Sequence, residues 1–163
     1  IMTGSGTILE DNPYLTVRLK NNSRSPIRII FDKSNKILPN CEKFNVFNDD
    51  NTRIIVVNNS NLVPPKNVEK IPFNDFNSLF LELYKKGIYS IMVEAGQGLN
   101  SALLKTKEVD EINQFIAPKI FGGGIDFVQN LDVKNIEKCV KLEDVKVKKL
   151  KNDILINAKF VRT

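Results

Sequence analysis

The sequence predicts an α/β fold with a mixed, mainly parallel sheet that is closed by an antiparallel C-terminal hairpin. Three observations support this prediction. Short β-branched runs alternate with helical patterns through most of the chain, as in sheets built from parallel crossovers. The last quarter instead shows period-two alternation, which is typical of antiparallel strands with one solvated face. The length of 163 residues suits one domain with its own core, which we place over 1–163.

Five runs rich in β-branched residues, each bounded by turn residues, predict the strands before the hairpin. The first enters from Pro26 and ends at Asp32, which indicates a buried strand. The third is a short extended piece. In chain order the runs are residues 27–31, 54–57, 68–72, 88–93 and 109–120.

Two helices are predicted between these strands. Asn74 or Asp75 can cap the first helix, and Gly87 can end it. A second, shorter helix is predicted to begin over 100–104. The apolar residues of the first helix recur at i, i+3, i+4 and i+7, namely Phe76, Leu79, Phe80 and Leu83.

Alternating apolar residues on either side of a polar turn predict the closing hairpin. The turn is Lys151-Asn152-Asp153. The alternating residues are Val140, Leu142, Val145, Val147, Ile154, Ile156, Ala158 and Phe160.

The composition excludes several kinds of site. The chain has no His, so it cannot hold a Ser-His or Cys-His nucleophile pair or a His-ligated zinc or haem. Cys41 and Cys139 are too few for a four-thiolate metal site, and we predict no metal centre. Two distant cysteines also make no disulfide framework, which indicates a reducing compartment.

The net charge of +5 lies at the end of the chain. Residues 1–133 hold 15 basic and 15 acidic residues, whereas 134–163 hold nine basic and four acidic ones. This distribution argues against a protein that is basic throughout for nucleic acid, although it leaves a local patch open. The hairpin lysines suit a solvated face that also blunts edge pairing. No apolar run is long enough to predict a transmembrane helix.

Three glycine-containing segments could carry chemistry. Residues 3–7 suit either a surface loop or a backbone loop that admits a phosphate or a nicotinamide. Residues 94–101 follow a strand and begin a helix, which makes either an anion site or a plain turn, with Glu94 at the carboxyl end of the strand. A normal Rossmann site is disfavoured, because residues 116–118 hold no acid. Residues 122–124, three glycines, suit a linker or a loop packed under a ligand.

The order of these segments resembles a known family. Residues 3–18, TGSGTILEDNPYLTVR, are similar to the signature of the riboflavin-biosynthesis reductase domain. That domain is the C-terminal half of a bifunctional pyrimidine deaminase/reductase and has a dihydrofolate-reductase-like, three-layer fold. Residues 91–99, IMVEAGQGL, resemble the family's Val-Glu-Gly-Gly segment, and residues 116–119 followed by glycines resemble its next motif. The resemblance covers essentially the whole chain.

The resemblance implies NADPH as the cofactor and assigns residues to it. Thr7 and Asp11 match cofactor-contacting positions, and Lys33 stands where the family usually has a cofactor-contacting Ser. The loop and helix start that would cradle the cofactor phosphates are Gly96, Gln97, Gly98, Leu99, Asn100, Ser101 and Ala102.

Leu15, Arg18 and Glu94 match substrate-contacting positions, and Arg18 would hold the ribose 5-phosphate through charge-assisted bonds. The implied catalytic residues are Asp11, which would orient the nicotinamide amide or ribose, and Glu94, beside the reacting carbon. Ala95 stands where the family usually has Gly.

The reaction that the resemblance implies is reduction of 5-amino-6-(5-phosphoribosylamino)uracil to its ribitylamino form. The sugar ring opens to an imine at C1′, which receives hydride from NADPH, and the step needs no imidazole. The resemblance also implies a cytoplasmic homodimer with a deaminase domain natively on the same chain, and no nucleic-acid or membrane partner. Family members carry about one further strand and helix before the position of Ile1, so we expect a chain trimmed at its N-terminus.

Three alternatives stay open on the sequence. The first is a related NADPH reductase that acts on 2,5-diamino-6-ribosylamino-pyrimidinone 5-phosphate. The second is a non-catalytic nucleotide- or RNA-binding module that uses the basic hairpin, although that hairpin lacks interleaved aromatic residues for base stacking. The third is a structural remnant that only dimerises.

Overall fold

The computed structural model describes residues 1–19, 24–48 and 52–161. The chain divides into two compact units, Ile1–Leu99 and Asn100–Thr163. No helix within the described residues is both long enough and apolar enough to cross a membrane.

The first unit contains a parallel four-stranded sheet. Its strands lie in the order β1-β2-β3-β4 and all pair in parallel. Beyond β1, Val93 forms a single parallel bridge to Met2. The strands are β1 (Met2–Gly4), β2 (Arg28–Phe31), β3 (Ile54–Val57) and β4 (Val68–Ile71).

Both faces of this sheet are buried, as is typical of parallel sheets. All four residues of β3 are buried, and alternate side chains go to opposite faces. One face joins a core cluster with Ile8 of the first helix, α1 (Ser5–Asp11), and with Val46 and Phe47. The other face includes Phe31, whose ring stacks on Phe76.

The predicted helix between β4 and residue 88 is confirmed as α2 (Phe76–Lys85). Asp75 caps it, because its carboxylate accepts a hydrogen bond from the Ser78 backbone N–H at 2.8 Å. Gly87 follows the helix with a φ of 81°, a left-handed conformation that favours glycine. The strands predicted over 27–31, 54–57 and 68–72 are confirmed as β2, β3 and β4.

Two predictions for this unit were wrong. Residues 3–7 do not form a loop, because β1 ends at Gly4 and α1 begins at Ser5. Residues 88–93 do not form a full strand: only Val93 bridges to Met2, with backbone bonds on either side of it. An apolar run becomes a strand only where a neighbour supplies a ladder, and pattern alone does not reveal the neighbour.

An ion-pair group ties the start of β3 to β4 and to the end of α2. Glu69 accepts a hydrogen bond from Arg53 Nη2 at 3.1 Å and another from Lys86 Nζ at 2.9 Å. The bonds from Arg53, followed by that from Lys86, lower the pKa of Glu69 to about 2, although burial opposes the shift. Its ordinary value is 4.5.

We expect Glu69→Gln to lower the free energy of unfolding by less than about 1 kcal/mol at neutral pH, since these side chains are partly exposed. A depressed carboxyl pKa stabilises the fold above the unfolded value. The difference between wild type and variant should therefore be complete above pH 4.5 and fade as the pH falls toward about 2. Urea unfolding at a series of pH values measures it. Glu82→Gln, which removes an exposed pair with Lys85, is the control. A difference that stays constant with pH would contradict this account.

The second unit contains an antiparallel three-stranded sheet in the order β5-β7-β6. The predicted hairpin is confirmed as β6 (Leu142–Leu150) and β7 (Asp153–Phe160). The long strand predicted over 109–120 is shorter, since β5 covers Glu111–Ile116. The predicted α/β class, with parallel strands and an antiparallel hairpin, is confirmed, and the structure distributes the strands over two sheets.

The hairpin contains a β-bulge at the position where the alternation of apolar residues is interrupted. The apolar alternation breaks between Leu142 and Val145, and the pairing register shifts between Glu143 and Lys146. Asp144 lies within the bulge with a φ of 52°, and its carboxylate accepts a hydrogen bond from Lys159 at 2.7 Å. Such a bulge inserts residues into one strand while both flanks keep their apolar side on one face.

Candidate active site

The strand order of the parallel sheet reverses at β1. The connections that follow β1, β2 and β3 place each next strand on one side, whereas Val93 returns to the opposite side of β1. Open α/β sheets bind ligands outside the carboxyl ends of strands where the order reverses in this way. The segments that follow Gly4 and Val93 therefore flank the candidate site of the first unit.

Helix α1 carries two of the predicted cofactor residues away from the end of β1. Thr7 and Asp11 are four residues apart and so share one helix face, while Ile8 faces the core. Thr7 is half-buried and Asp11 is exposed. No hydrogen bond or ion pair of the Asp11 carboxylate occurs among the described residues.

Glu94 lies directly after the bridge on the other side of β1. Its backbone N–H donates to Met2 O at 3.0 Å, which fixes the main chain, and its carboxylate is exposed. Helix α3 (Gln97–Thr106) begins three residues later. A methyl group added to Gly4 would lie 3.9 Å from Leu99 Cβ, so the first turn of α3 lies beside the end of β1.

Three glycines of the segments that flank this edge face open space. A Cβ added at Gly6, Gly96 or Gly98 would meet no atom within 4 Å. The dipole of α3 favours an anion near the N-terminus of this helix. The residues present therefore fit the phosphates of the cofactor that the resemblance implies.

Two adjacent charged residues at the carboxyl end of β2, Asp32 and Lys33, differ in burial. Asp32 is fully buried, and its carboxylate accepts hydrogen bonds from the backbone N–H groups of Lys36, Ile37 and Leu38 at 2.8, 3.0 and 3.0 Å. The next residue, Lys33, is exposed. Asp32 thus closes the turn that follows β2, while Lys33 presents a positive charge at the edge of the sheet.

The ammonium group of Lys33 lies over an aromatic ring that is itself held in place. Lys33 Nζ is 5.9 Å from the centroid of Phe73, a cation–π distance. Asn59 and Phe73 exchange two hydrogen bonds, at 2.8 and 2.6 Å, which fix the Phe73 backbone. The Phe73 ring also packs edge-on against Phe31 and Phe76.

The two remaining substrate-contacting candidates lie beyond α1. Leu15 has a φ of 52°, an uncommon conformation for a bulky residue, and its side chain packs against the core cluster. Asn12 and Asn45 exchange two hydrogen bonds, at 2.7 and 2.9 Å, that hold the end of α1. Arg18 is exposed, and no hydrogen bond or ion pair of its guanidinium is recorded within residues 1–19, 24–48 and 52–161.

Three candidate cofactor residues on α3 belong to the second unit. Asn100 Nδ2 donates to Phe127 O at 3.1 Å, and the Gln129 N–H donates to Ser101 Oγ at 2.7 Å. Ala102 is half-buried. The helix starts earlier than the predicted 100–104, and the two polar side chains hold the segment around residues 127–129.

Sequence reasoning missed the residues that hold this site in position. The sequence predicts Asp32 only as the end of a strand, and it indicates no role for Asn12 or Asn59. A signal was present for Asp32, because an Asp before a short polar segment commonly accepts hydrogen bonds from the turn that follows. The partners of Asn12 and Asn59 are distant in sequence, so no local pattern could identify them.

Comparisons with known proteins agree with the resemblance. The family model of the RibD C-terminal domain matches residues 1–156. The riboflavin biosynthesis protein RibD of Aquifex aeolicus is 29% identical over 162 residues, which cover 96% of this chain and 45% of that protein. The 2,5-diamino-6-ribosylamino-4(3H)-pyrimidinone 5′-phosphate reductase of Methanothermobacter thermautotrophicus is 29% identical over 171 residues, covering 96% and 77%.

A solved structure shows the same fold. The crystal structure of a diaminohydroxyphosphoribosylaminopyrimidine deaminase/5-amino-6-(5-phosphoribosylamino)uracil reductase from Thermotoga maritima is 31% identical, with a TM-score of 0.85. The match covers 98% of this chain and 44% of that one, so the chain spans less than half of this relative. The predicted dihydrofolate-reductase-like fold and the resemblance are confirmed. Since the family model matches nearly every residue, the chain belongs to the RibD C-terminal domain family.

Proposed function

We propose that this chain catalyses the NADPH-dependent reduction of 5-amino-6-(5-phosphoribosylamino)uracil to its ribitylamino form, a step of riboflavin biosynthesis. The observation that carries the proposal is the family match over residues 1–156. The site supports it, because Asp11, Lys33 and Glu94 present exposed charges on segments that follow neighbouring strands of one parallel sheet.

In this proposal each group of assigned residues binds one part of the cofactor or the substrate. Thr7 and Asp11 bind the nicotinamide end of the cofactor from one face of α1. Gly96, Gln97, Gly98 and Leu99, followed by Asn100, Ser101 and Ala102, bind its phosphates. Leu15 and Arg18 bind the substrate, with the Arg18 guanidinium on the ribose phosphate.

NADPH supplies the hydride. Glu94 lies at the carboxyl end of the neighbouring segment, where its carboxylate accepts a hydrogen bond from the pyrimidine substrate and orients the carbon to be reduced. The protein otherwise provides orientation, which by itself lowers the barrier of such a step substantially.

The end of β2 supports NADPH rather than NADH. An acid beside the ribose of a dinucleotide binds its 2′-hydroxyl, whereas a base there accommodates a 2′-phosphate. The only acid at the end of this strand, Asp32, is buried with both oxygens bound to backbone N–H groups. Lys33 is the exposed charged residue at this strand end, so a ligand here contacts a positive charge.

Calorimetric titration of the chain with NADPH and with NADH tests the proposal, followed by an assay of pyrimidine-dependent NADPH oxidation. We expect tighter binding of NADPH, and Lys33→Ser should weaken it about tenfold and leave NADH binding unchanged, since one charge-assisted contact is lost. Lys36→Ser, an exposed lysine of the same turn, is the matched control.

A folded chain that binds neither nucleotide would contradict the proposed function. Equal losses for NADPH and NADH in Lys33→Ser would contradict only the role of Lys33.

A second substrate has a specific observation in its favour. The Methanothermobacter relative, named as a reductase of 2,5-diamino-6-ribosylamino-4(3H)-pyrimidinone 5′-phosphate, matches 96% of this chain. The two pyrimidines differ in ring substituents. Assaying both under the same conditions separates them, and the substrate with the higher kcat/KM is the one that the site is built for.

The remaining proposals concern the oligomeric state, the cellular compartment and the partner domain of the protein. We propose a homodimer in the cytoplasm, with a deaminase domain as the natural partner on the same chain. The deaminase in the name of the Thermotoga relative supports the last point, and the two free cysteines suit a reducing compartment.

A further inference from the structure

The second unit contains a groove that the reductase proposal does not use. It has a volume of about 520 Å³, within the range of roughly 300–1,000 Å³ that is typical of small-molecule sites. None of its lining residues is among those assigned to cofactor or substrate. The apolar lining residues are Leu104, Val109, Leu131, Val133, Val140, Phe160 and Val161.

Backbone hydrogen bonds hold the walls of this groove together. The Val161 N–H donates to Lys141 O at 3.1 Å, and the Phe160 N–H donates to Asp110 O at 3.0 Å. A further wall is a short 3₁₀ turn, Ile136–Lys138, capped by the side chain of Asn135. The groove is therefore built from four separate segments, residues 104–109, 131–133, 137–141 and 160–161.

The charge at the groove is strongly positive. Four lysines line it, Lys105, Lys107, Lys138 and Lys141, against one acid, Glu137. Lys105 lies 3.6 Å from the Asp132 carboxylate. The other three lysines are exposed and form no ion pair within the part of the chain that the structure describes. Lys138 and Lys141 belong to the basic excess that the sequence places in residues 134–163.

The apolar and the charged lining residues together determine which kind of ligand the groove can bind. Half-buried Leu131, Phe160 and Val161 offer apolar surface, which favours a ligand with an aromatic or aliphatic body. The ammonium groups of the lining lysines favour a carboxylate, sulfonate or phosphate. Phe160 is the single aromatic residue of the lining, so the groove offers no series of stacking platforms for a nucleic-acid strand.

We propose that this groove binds a small organic anion with an apolar body, separately from the reductase site. The apolar part lies on the floor formed by Leu131, Phe160 and Val161, and the anionic group lies between Lys138 and Lys141. Cys139 is an exposed free thiol in the lining between these two lysines, so its reactivity reports on occupancy.

Fluorescence titration of the whole chain with 1-anilinonaphthalene-8-sulfonate tests the proposal. We expect saturable binding that the double variant Lys138→Glu/Lys141→Glu weakens at least about tenfold, because two attractive charges become repulsive. The matched control is Lys148→Glu/Lys149→Glu, which makes the same change in net charge on β6, outside the groove. The control should stay within about twofold of wild type.

Alkylation of Cys139 by N-ethylmaleimide, in a Cys41→Ala background, gives a second readout. The bound sulfonate should slow the alkylation, and a neutral analogue, N-phenyl-1-naphthylamine, should bind equally to wild type and to the Lys138/Lys141 variant. Equal losses of sulfonate binding in both double variants would overturn the proposal. Unprotected Cys139 at saturation, or displacement of the sulfonate by single-stranded RNA at matched ionic strength, would also overturn it.

Discussion

Replacing Glu94 by Gln is expected to lower kcat for pyrimidine reduction about 100-fold in a form of the protein that has measurable reductase activity, the lower end of the range for a charged group that orients or protonates a reactant. Glutamine keeps the shape of the side chain but removes the negative charge. Because the Glu94 backbone is bonded to Met2, the main chain should not move.

Steady-state kinetics with the pyrimidine phosphate, together with the affinity for NADPH, measure this effect. The affinity for NADPH should be unchanged, since Glu94 is assigned to the substrate. Glu10→Gln is a matched control, because Glu10 is also exposed but is not among the assigned residues. Unchanged turnover and unchanged substrate affinity in Glu94→Gln would remove Glu94 from the mechanism.

Asp32→Ala is expected to lower the free energy of unfolding by about 3 kcal/mol, the largest stability effect of any substitution considered. The alanine variant leaves three backbone N–H groups without an acceptor, two of them in fully buried bonds, those of Ile37 and Leu38. Each unsatisfied buried group costs about 1 kcal/mol or more. The Asp32 backbone carbonyl still accepts from Asn58, so the end of β2 should stay in place.

Urea unfolding of wild type, Asp32→Ala and Asp32→Asn measures this loss. The Asn variant retains one acceptor oxygen and should lose less than the Ala variant. Asp75→Ala is the comparison, because it removes an exposed helix cap and should cost only about 1 kcal/mol. A loss in Asp32→Ala no larger than that in Asp75→Ala would show that the buried carboxylate does not hold the turn.

Local patterns accounted for several regular elements of the fold, although not for β1 and α1. The β-branched runs before Asp32 and Asn58 became β2 and β3, and the cap at Asp75 and the stop at Gly87 bounded α2 as predicted. These signals act within a few residues of the chain, through side-chain hydrogen bonds and backbone conformation. The bulge in β6 was not predicted, because the residues on both sides of the break before Val145 were included in one alternating series.

The positions of the candidate site residues could be predicted only in part. Glu94 was expected at the carboxyl end of a strand, and it lies there, but the strand itself reduced to one bridge at Val93. Thr7 was expected on a loop over residues 3–7, but it lies with Asp11 on one face of α1. The resemblance assigned both residues to the cofactor. Their common face depends on helix α1, which begins at Ser5 and which the sequence did not predict.

The sequence by itself determined the α/β class, the main strands, the position of α2, the hairpin and the family, because these depend on local composition and on motif order. Only the tertiary structure decided which charges at the sheet edge are available. It buried Asp32 and exposed Lys33, although the two are adjacent in sequence, and it set Lys33 over Phe73. The physical reason is that burial and hydrogen-bond partners depend on contacts between distant segments, such as Asn59 with the backbone of Phe73, which no local pattern encodes.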